Sequence, residues 1–120
     1  MMQRTILNPE WGISTCVEVN GIVFIGHHGG HTVNGRKLIT IEEQTDNTFQ
    51  NLKTTLEKIG LGFEDIVNLN VLLKDIKDFH GMHSVWAKWF PREFPARTCS
   101  TTAFVDDHCL IQVYGVAYRK

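Results

Sequence analysis

The stretch FIGHHGGH, residues 24–31, holds three of the chain's six histidines and three of its ten glycines. Histidine at this density suits two kinds of chemistry, metal ligation and proton transfer near neutral pH. Successive side chains of a regular strand point to opposite faces, so His27 and His28 cannot both hold one ion. Gly29-Gly30 could turn His31 back toward His28, but two histidines without a nearby Asp, Glu or Cys are a poor zinc set. One histidine from each copy on an assembly axis is a further route to a metal. The expectation is no metal site. A second stretch, FPREFPARTCSTTAF (residues 90–104), sets Arg97 at the mouth of a strand behind the stiff pair Pro95-Ala96. An arginine there, followed by Thr98, Cys99 and Ser100, suits bidentate capture of a small carboxylate. The plainer alternative is a surface arginine in an ion pair.

The totals bound what these residues can serve. The 120 residues form one domain, 1–120, long enough to bury a core unaided. With 12 Lys and Arg against 13 Asp and Glu, the formal charge is −1. That balance gives no reason to expect nucleic acid or an anionic membrane as partner. No apolar run approaches the ~20 residues of a membrane span, and no apolar signal core follows Met1-Met2-Gln3-Arg4. Cys16, Cys99 and Cys109 are odd in number with no CxxC pair, which fits a reducing cytoplasm and small buried side chains. Cys99 stands apart because Arg97 is two residues away.

The elements that must carry these residues read in order. Residues 15–19 and 22–25 form a hairpin through Asn20-Gly21. Thr40-Ile41-Glu42-Glu43 is a capping box that starts a helix, with Phe49, Leu52, Leu56 and Ile59 at helical spacing and Gly60 as its stop. Residues 66–74 alternate, with Val67, Leu69, Val71 and Leu73 on one face. A second helix carries Phe79, Met82, Trp86 and Trp89 or Phe90, is weakened by Gly81, and ends at Pro91. Residues 97–104 and 109–118 read as a hairpin across residues 105–108. The order β-β-α-β-α-β-β is an α+β fold with two helices on one face of a mixed sheet. The other face, holding Gln112, Tyr114 and Tyr118 or the residues that alternate with them, must be solvated or pack on another copy.

PARTC, the strand ending LIQVYGVAY, GLGFEDIVNLNVLLKDIKDF, WAKWFP and NTFQNLKTTLEKIGL together make the chain resemble the reactive-intermediate deaminase family, also called YjgF-like or L-PSP endoribonuclease. The resemblance covers nearly the whole chain, and Pro-Ala-Arg with the strand behind it is its most specific element. It implies a chorismate-mutase-like fold, a homotrimer whose sheets form a central barrel, and clefts between subunits. It implies hydrolysis of small 2-imino and enamino acids to 2-keto acids and ammonia, with no metal or organic cofactor. Arg97 matches the family's carboxylate-gripping arginine, and Cys99 a cysteine often found in the same cleft.

The departures bear on mechanism. The family's glutamate on the last strand is here Gln112, which can hydrogen-bond a water but cannot take its proton. The cleft tyrosine is replaced by Ile13, Ser-Gly-Gln by Gly26-His27-His28, and an asparagine on the second helix by His83. The alignment sets residues 26–31 at the cleft mouth near Arg97, with His27 as first candidate for the missing proton acceptor and His83 as second. His80 and His83 could also be a solvated pair, and His108 has no role. The site is thus read as Arg97, Gln112 and His27 for chemistry, with Cys99, Gly26, His83 and Ile13 around a small carboxylate substrate. The alternative is a non-catalytic trimeric module binding small carboxylates. RNA cleavage, suggested only by the family's older name, lacks a basic stripe with interleaved aromatics.

Overall fold

A computed structural model describes residues 1–120 of the chain. In order the elements are β1 (Met2–Thr5), β2 (Cys16–Val19), β3 (Ile22–His28), a small hairpin of β4 (Thr32–Val33) and β5 (Arg36–Lys37), α1 (Ile41–Lys58), β6 (Ile66–Leu73), α2 (Phe79–Trp89), β7 (Cys99–Thr101) and β8 (Ile111–Tyr118). All strands except β4 and β5 form one mixed sheet in the order β1-β2-β3-β8-β6-β7, in which only β6 and β7 run parallel. The Asn20-Gly21 turn forms with both residues at positive φ, as a tight hairpin requires. Thr40 caps α1, accepting from the Glu43 N–H while the Glu43 carboxylate reaches back to the Thr40 N–H.

Both helices lie on one face of the sheet. Phe49, Leu52 and Leu56 of α1 and Met82 and Trp86 of α2 pack on Val23, Leu69, Val71, Ile111 and Val113. Phe49 is the hub, with the rings of Phe63, Trp86, Trp89 and Phe90 all within 6.1 Å. Gly81 explains itself here: a Cβ would sit 2.6 Å from the Ile41 side chain, so the weak point of α2 is where it touches the start of α1. The opposite face is uncovered and exposes Ile22, Phe24, Val67 and Tyr118.

Three expectations change. The N-terminal β1, paired along β2 from Met2↔Val19 to Thr5↔Cys16, and the β4/β5 hairpin are additional. The last two strands are not a hairpin. β7 lies beside β6 on one side and β8 on the other, and residues 102–110 wrap the end of β6, where Thr102 N–H donates to Leu73 O and Lys74 N–H to Leu110 O. Finally, the β6/β8 register slips between Ile66 and Asn68. Ile66 therefore takes the buried place, and Val67 turns to the open face.

Candidate functional site

The site begins with an irregularity in β3. Ile25 pairs with Gly115 and His28 with Val113, so three steps along β3 match two along β8. This one-residue bulge resets the alternation. His28 points into the core and His27 to the open face, so the two histidines diverge as the strand geometry required. His28 is 7% exposed. Its Nδ1 donates to Gly26 O and its Nε2 accepts from the Thr55 hydroxyl of α1, both at 2.8 Å. Burial holds its pKa below the usual histidine value.

His27 is exposed and lies flat on Tyr114, with ring centroids 4.8 Å apart and planes 15° from parallel. Its Nδ1 is 3.2 Å from Gln112 Oε1. The Gln112 amide is oriented by its other end, where Nε2 donates to Cys109 Sγ at 3.9 Å. Cys109 is buried, and that burial raises its thiol pKa, keeping it neutral. With Gln112 Oε1 facing the imidazole, His27 Nδ1 must carry the proton, because a carbonyl oxygen only accepts. Nε2 of His27 is then left as a free acceptor.

The glycines after the bulge are fixed from α1. Asn51 Nδ2 donates to Gly29 O at 2.7 Å, and Asn47 Nδ2 to Gly30 O at 3.0 Å. Gly30 has no alternative residue, since a Cβ would lie 2.7 Å from the Thr48 backbone nitrogen. His31 does not return to His28. Its Nε2 lies 3.6 Å from Asp106 and its ring meets His108 edge-on. No three His, Cys, Asp or Glu side chains converge in metal-binding geometry. Around His27 and Gln112 opens a groove of about 690 Å³, walled by Leu7, Trp11 and Ile13 on one side and by Asn51, Thr54 and Thr55 on another. Gly26 does not line it; its N–H bonds Thr15 O, and it serves the bulge.

A second cluster surrounds Arg97. Its guanidinium carbon sits 4.7 Å from the Trp86 ring centroid and 5.3 Å from that of Phe79. An Nη1 hydrogen bond at 3.0 Å reaches His83 Nδ1, which therefore accepts and is unprotonated there. No carboxylate comes within ion-pair distance of Arg97. The salt-bridged alternative is not what the fold builds. Two aromatic faces and an imidazole instead hold the cation with its charge unspent, a geometry worth about 0.5–2 kcal/mol per cation–π contact. Cys99 is half-buried against the core beside Arg97, and desolvation raises its thiol pKa.

One chain does not unite the two clusters. β6 lies between β7 and β8. Cys99 pairs with buried Val71, whereas Gln112 pairs with Leu72 on the open face. The expected nearness of residues 26–31 to Arg97 is therefore absent within a single copy. Sequence reasoning missed Tyr114, Cys109 and Trp86 as site residues. Tyr114 was findable, since it is two residues beyond Gln112 and must share its face. Trp86 reads as core from its helical spacing, and is core as well.

A family model described as endoribonuclease L-PSP matches residues 5–119. A RutC family protein of Pyrococcus abyssi is 31% identical over 90% of this chain and 82% of its own length. A 2-iminobutanoate/2-iminopropanoate deaminase of Dermatophagoides farinae is 24% identical over 90% and 86%. The crystal structure of a YjgF family member from Neisseria meningitidis superposes with a TM-score of 0.88 at 20% identity, covering all of this chain and 96% of that one. No helix is long and apolar enough to cross a membrane.

Buried His28 yields a prediction about stability. Above the ordinary histidine value of 6.5 both folded and unfolded chains keep it neutral, and its contribution is complete. As pH falls below that value the unfolded chain takes up a proton that the folded site resists, so stability is lost. Melting temperature should fall between about pH 7 and pH 5, and the fall should be shallower in His28→Gln. An equal slope in the variant would assign the effect to other groups.

Proposed function

The chain belongs to the endoribonuclease L-PSP family, also called YjgF or Rid, and from that premise we propose that it hydrolyses small 2-imino acids to 2-keto acids and ammonia. The observation that carries this reading is the His27–Gln112 pair at 3.2 Å. The position where the resemblance calls for a glutamate holds an amide that cannot accept a proton, but that amide fixes an imidazole that can. Water adds to the C=N carbon as His27 Nε2 takes its proton. The imidazolium passes that proton to the imine nitrogen, giving the carbinolamine. His27 Nε2 then takes the carbinolamine hydroxyl proton and delivers it to the departing nitrogen as the C–N bond breaks, so that imine and water yield keto acid and ammonia. Arg97, free of any acidic partner, grips the substrate carboxylate, with His83 aligning it. Cys99 and Ile13 border the substrate, and the steps need no metal or organic cofactor.

Because the two clusters lie apart on one chain, the complete site needs Arg97 of one copy beside the groove of another. We infer a homotrimer in which the uncovered face, with Ile22, Phe24, Val67 and Tyr118 exposed, is buried between copies. The three free thiols suit the reducing cytoplasm. A non-catalytic module binding small carboxylates is the second reading, and the amide of Gln112 is what favours it.

Ammonia release from 2-iminobutanoate generated in situ tests the chemistry. Wild type should be active, and His27→Ala should lose roughly 10²–10⁴-fold in rate, the usual worth of a general base. Arg97→Ala should lose substrate binding, because charge-assisted hydrogen bonds contribute about 1.5–3 kcal/mol each. A wild type indifferent to His27→Ala contradicts the mechanism, and an inactive wild type rescued by Gln112→Glu makes the chain a binder. Light scattering supplies the assembly prediction: a trimer at micromolar concentration is expected, and a stable monomer would rule out a shared site.

A further inference from the structure

We propose that the groove beside His27 selects 2-imino acids with a large, uncharged, apolar side chain, with Trp11 and Ile13 as the specificity-determining residues. The inference rests on the reading above and goes past it to the substrate class. Its first support is size. A groove of about 690 Å³ falls in the range of about 300–1,000 Å³ that encloses ligands far larger than 2-iminopropanoate. A substrate of that small size would leave most of it wet.

Its second support is the lining. No lysine, arginine, aspartate or glutamate lines the groove. A substrate side chain bearing a second charge would lose water there and find no second counter-ion, because the neighbouring copy's Arg97 is engaged by the α-carboxylate. The remaining polar lining is amide, hydroxyl and imidazole, and the apolar side chains are Leu7, Trp11 and Ile13 from one loop, with buried Cys109. Trp11 is 68% exposed and Ile13 53%. Large apolar groups left this open gain by covering a ligand.

The loop that carries them is clasped at its base and free at its tip. Thr15 N–H donates to Thr5 O at 2.7 Å, and Leu7 N–H to the Thr15 hydroxyl at 3.0 Å. Beyond that clasp, residues 8–14 hydrogen-bond only with one another, in a single turn where Trp11 N–H reaches Asn8 O and Gly12 N–H reaches Pro9 O. Gly12 sits at φ 70° with open space around it. Trp11 and Ile13 are thus mounted on a short turn that no hydrogen bond ties to the far wall. They can settle onto ligands of different shape.

Calorimetric titration with 2-keto acids reads selectivity without requiring turnover. Phenylpyruvate and 4-methyl-2-oxopentanoate should bind at least about tenfold more tightly than pyruvate, since one methylene in an apolar pocket is worth about 10–200-fold at most. 2-Oxoglutarate should bind more weakly than either. Trp11→Ala and Ile13→Ala, both at exposed positions, should narrow the preference by about tenfold between them, with a larger loss for phenylpyruvate than for pyruvate. The same order should appear in kcat/KM for imines generated in situ from phenylalanine, leucine and alanine by an amino-acid oxidase. Equal affinities, or a preference untouched by both variants, overturn this proposal even if imine hydrolysis remains sensitive to His27→Ala. Selective binding without hydrolysis of any imine overturns the deaminase reading and leaves the groove's selectivity standing. Failure to bind any of these acids, together with no hydrolysis of any imine, overturns both.

Discussion

Between Ile25 and His28, β3 advances three residues while β8 advances two, and this inserted residue decides what each histidine does. Without it His27 would point into the core and His28 to the open face. The bulge is held by three side chains of α1. His28 anchors it to α1 through Thr55, and Asn47 and Asn51 take the carbonyls of the glycines that follow. Burying a histidine costs desolvation, offset here because both ring nitrogens are paired. The neutral His28 is thus a structural rivet for its exposed neighbour.

A similar division of labour runs through α2. Its apolar stripe closes the core on Phe49, and the edge of the same stripe, Trp86 and Phe79, becomes the bed for Arg97. A guanidinium held by ring faces keeps its N–H groups available, whereas one held by a carboxylate would have them occupied. His83 takes a single one of them. The helix that makes the protein stable is in this way also the one that keeps a cation ready for an external anion.

Much of this was legible because local chemistry governs it. Asn20-Gly21, the Thr40 capping box and the aromatic spacing of α2 each name their structure from a few adjacent residues, and the Pro-Ala-Arg stretch named the family. That one face of the sheet stays open followed from counting helices, and the burial pattern of β8 puts Gln112, Tyr114 and Tyr118 on it. Long-range pairing was not legible. Residues 105–108 look like a hairpin turn from their own composition, and only the position of β6 between the flanking strands makes them a crossover. Val67 and His28 both lie next to register slips, where the period of two fails and a residue changes face. The contact of Gln112 with His27 spans 85 positions, and nothing in either neighbourhood announces it.

Gln112 is the group that positions His27, and the tautomer of that ring tests it most directly. Long-range proton–nitrogen correlation spectra on histidine-labelled wild type at alkaline pH identify which nitrogen carries the proton. His27 should be protonated at Nδ1 and bare at Nε2, and Gln112→Leu should abolish that preference. His27 found with its proton on Nε2 in the wild type would mean that Gln112 donates rather than accepts. No acceptor would then face the substrate, and the proton transfer assigned to this histidine would be contradicted.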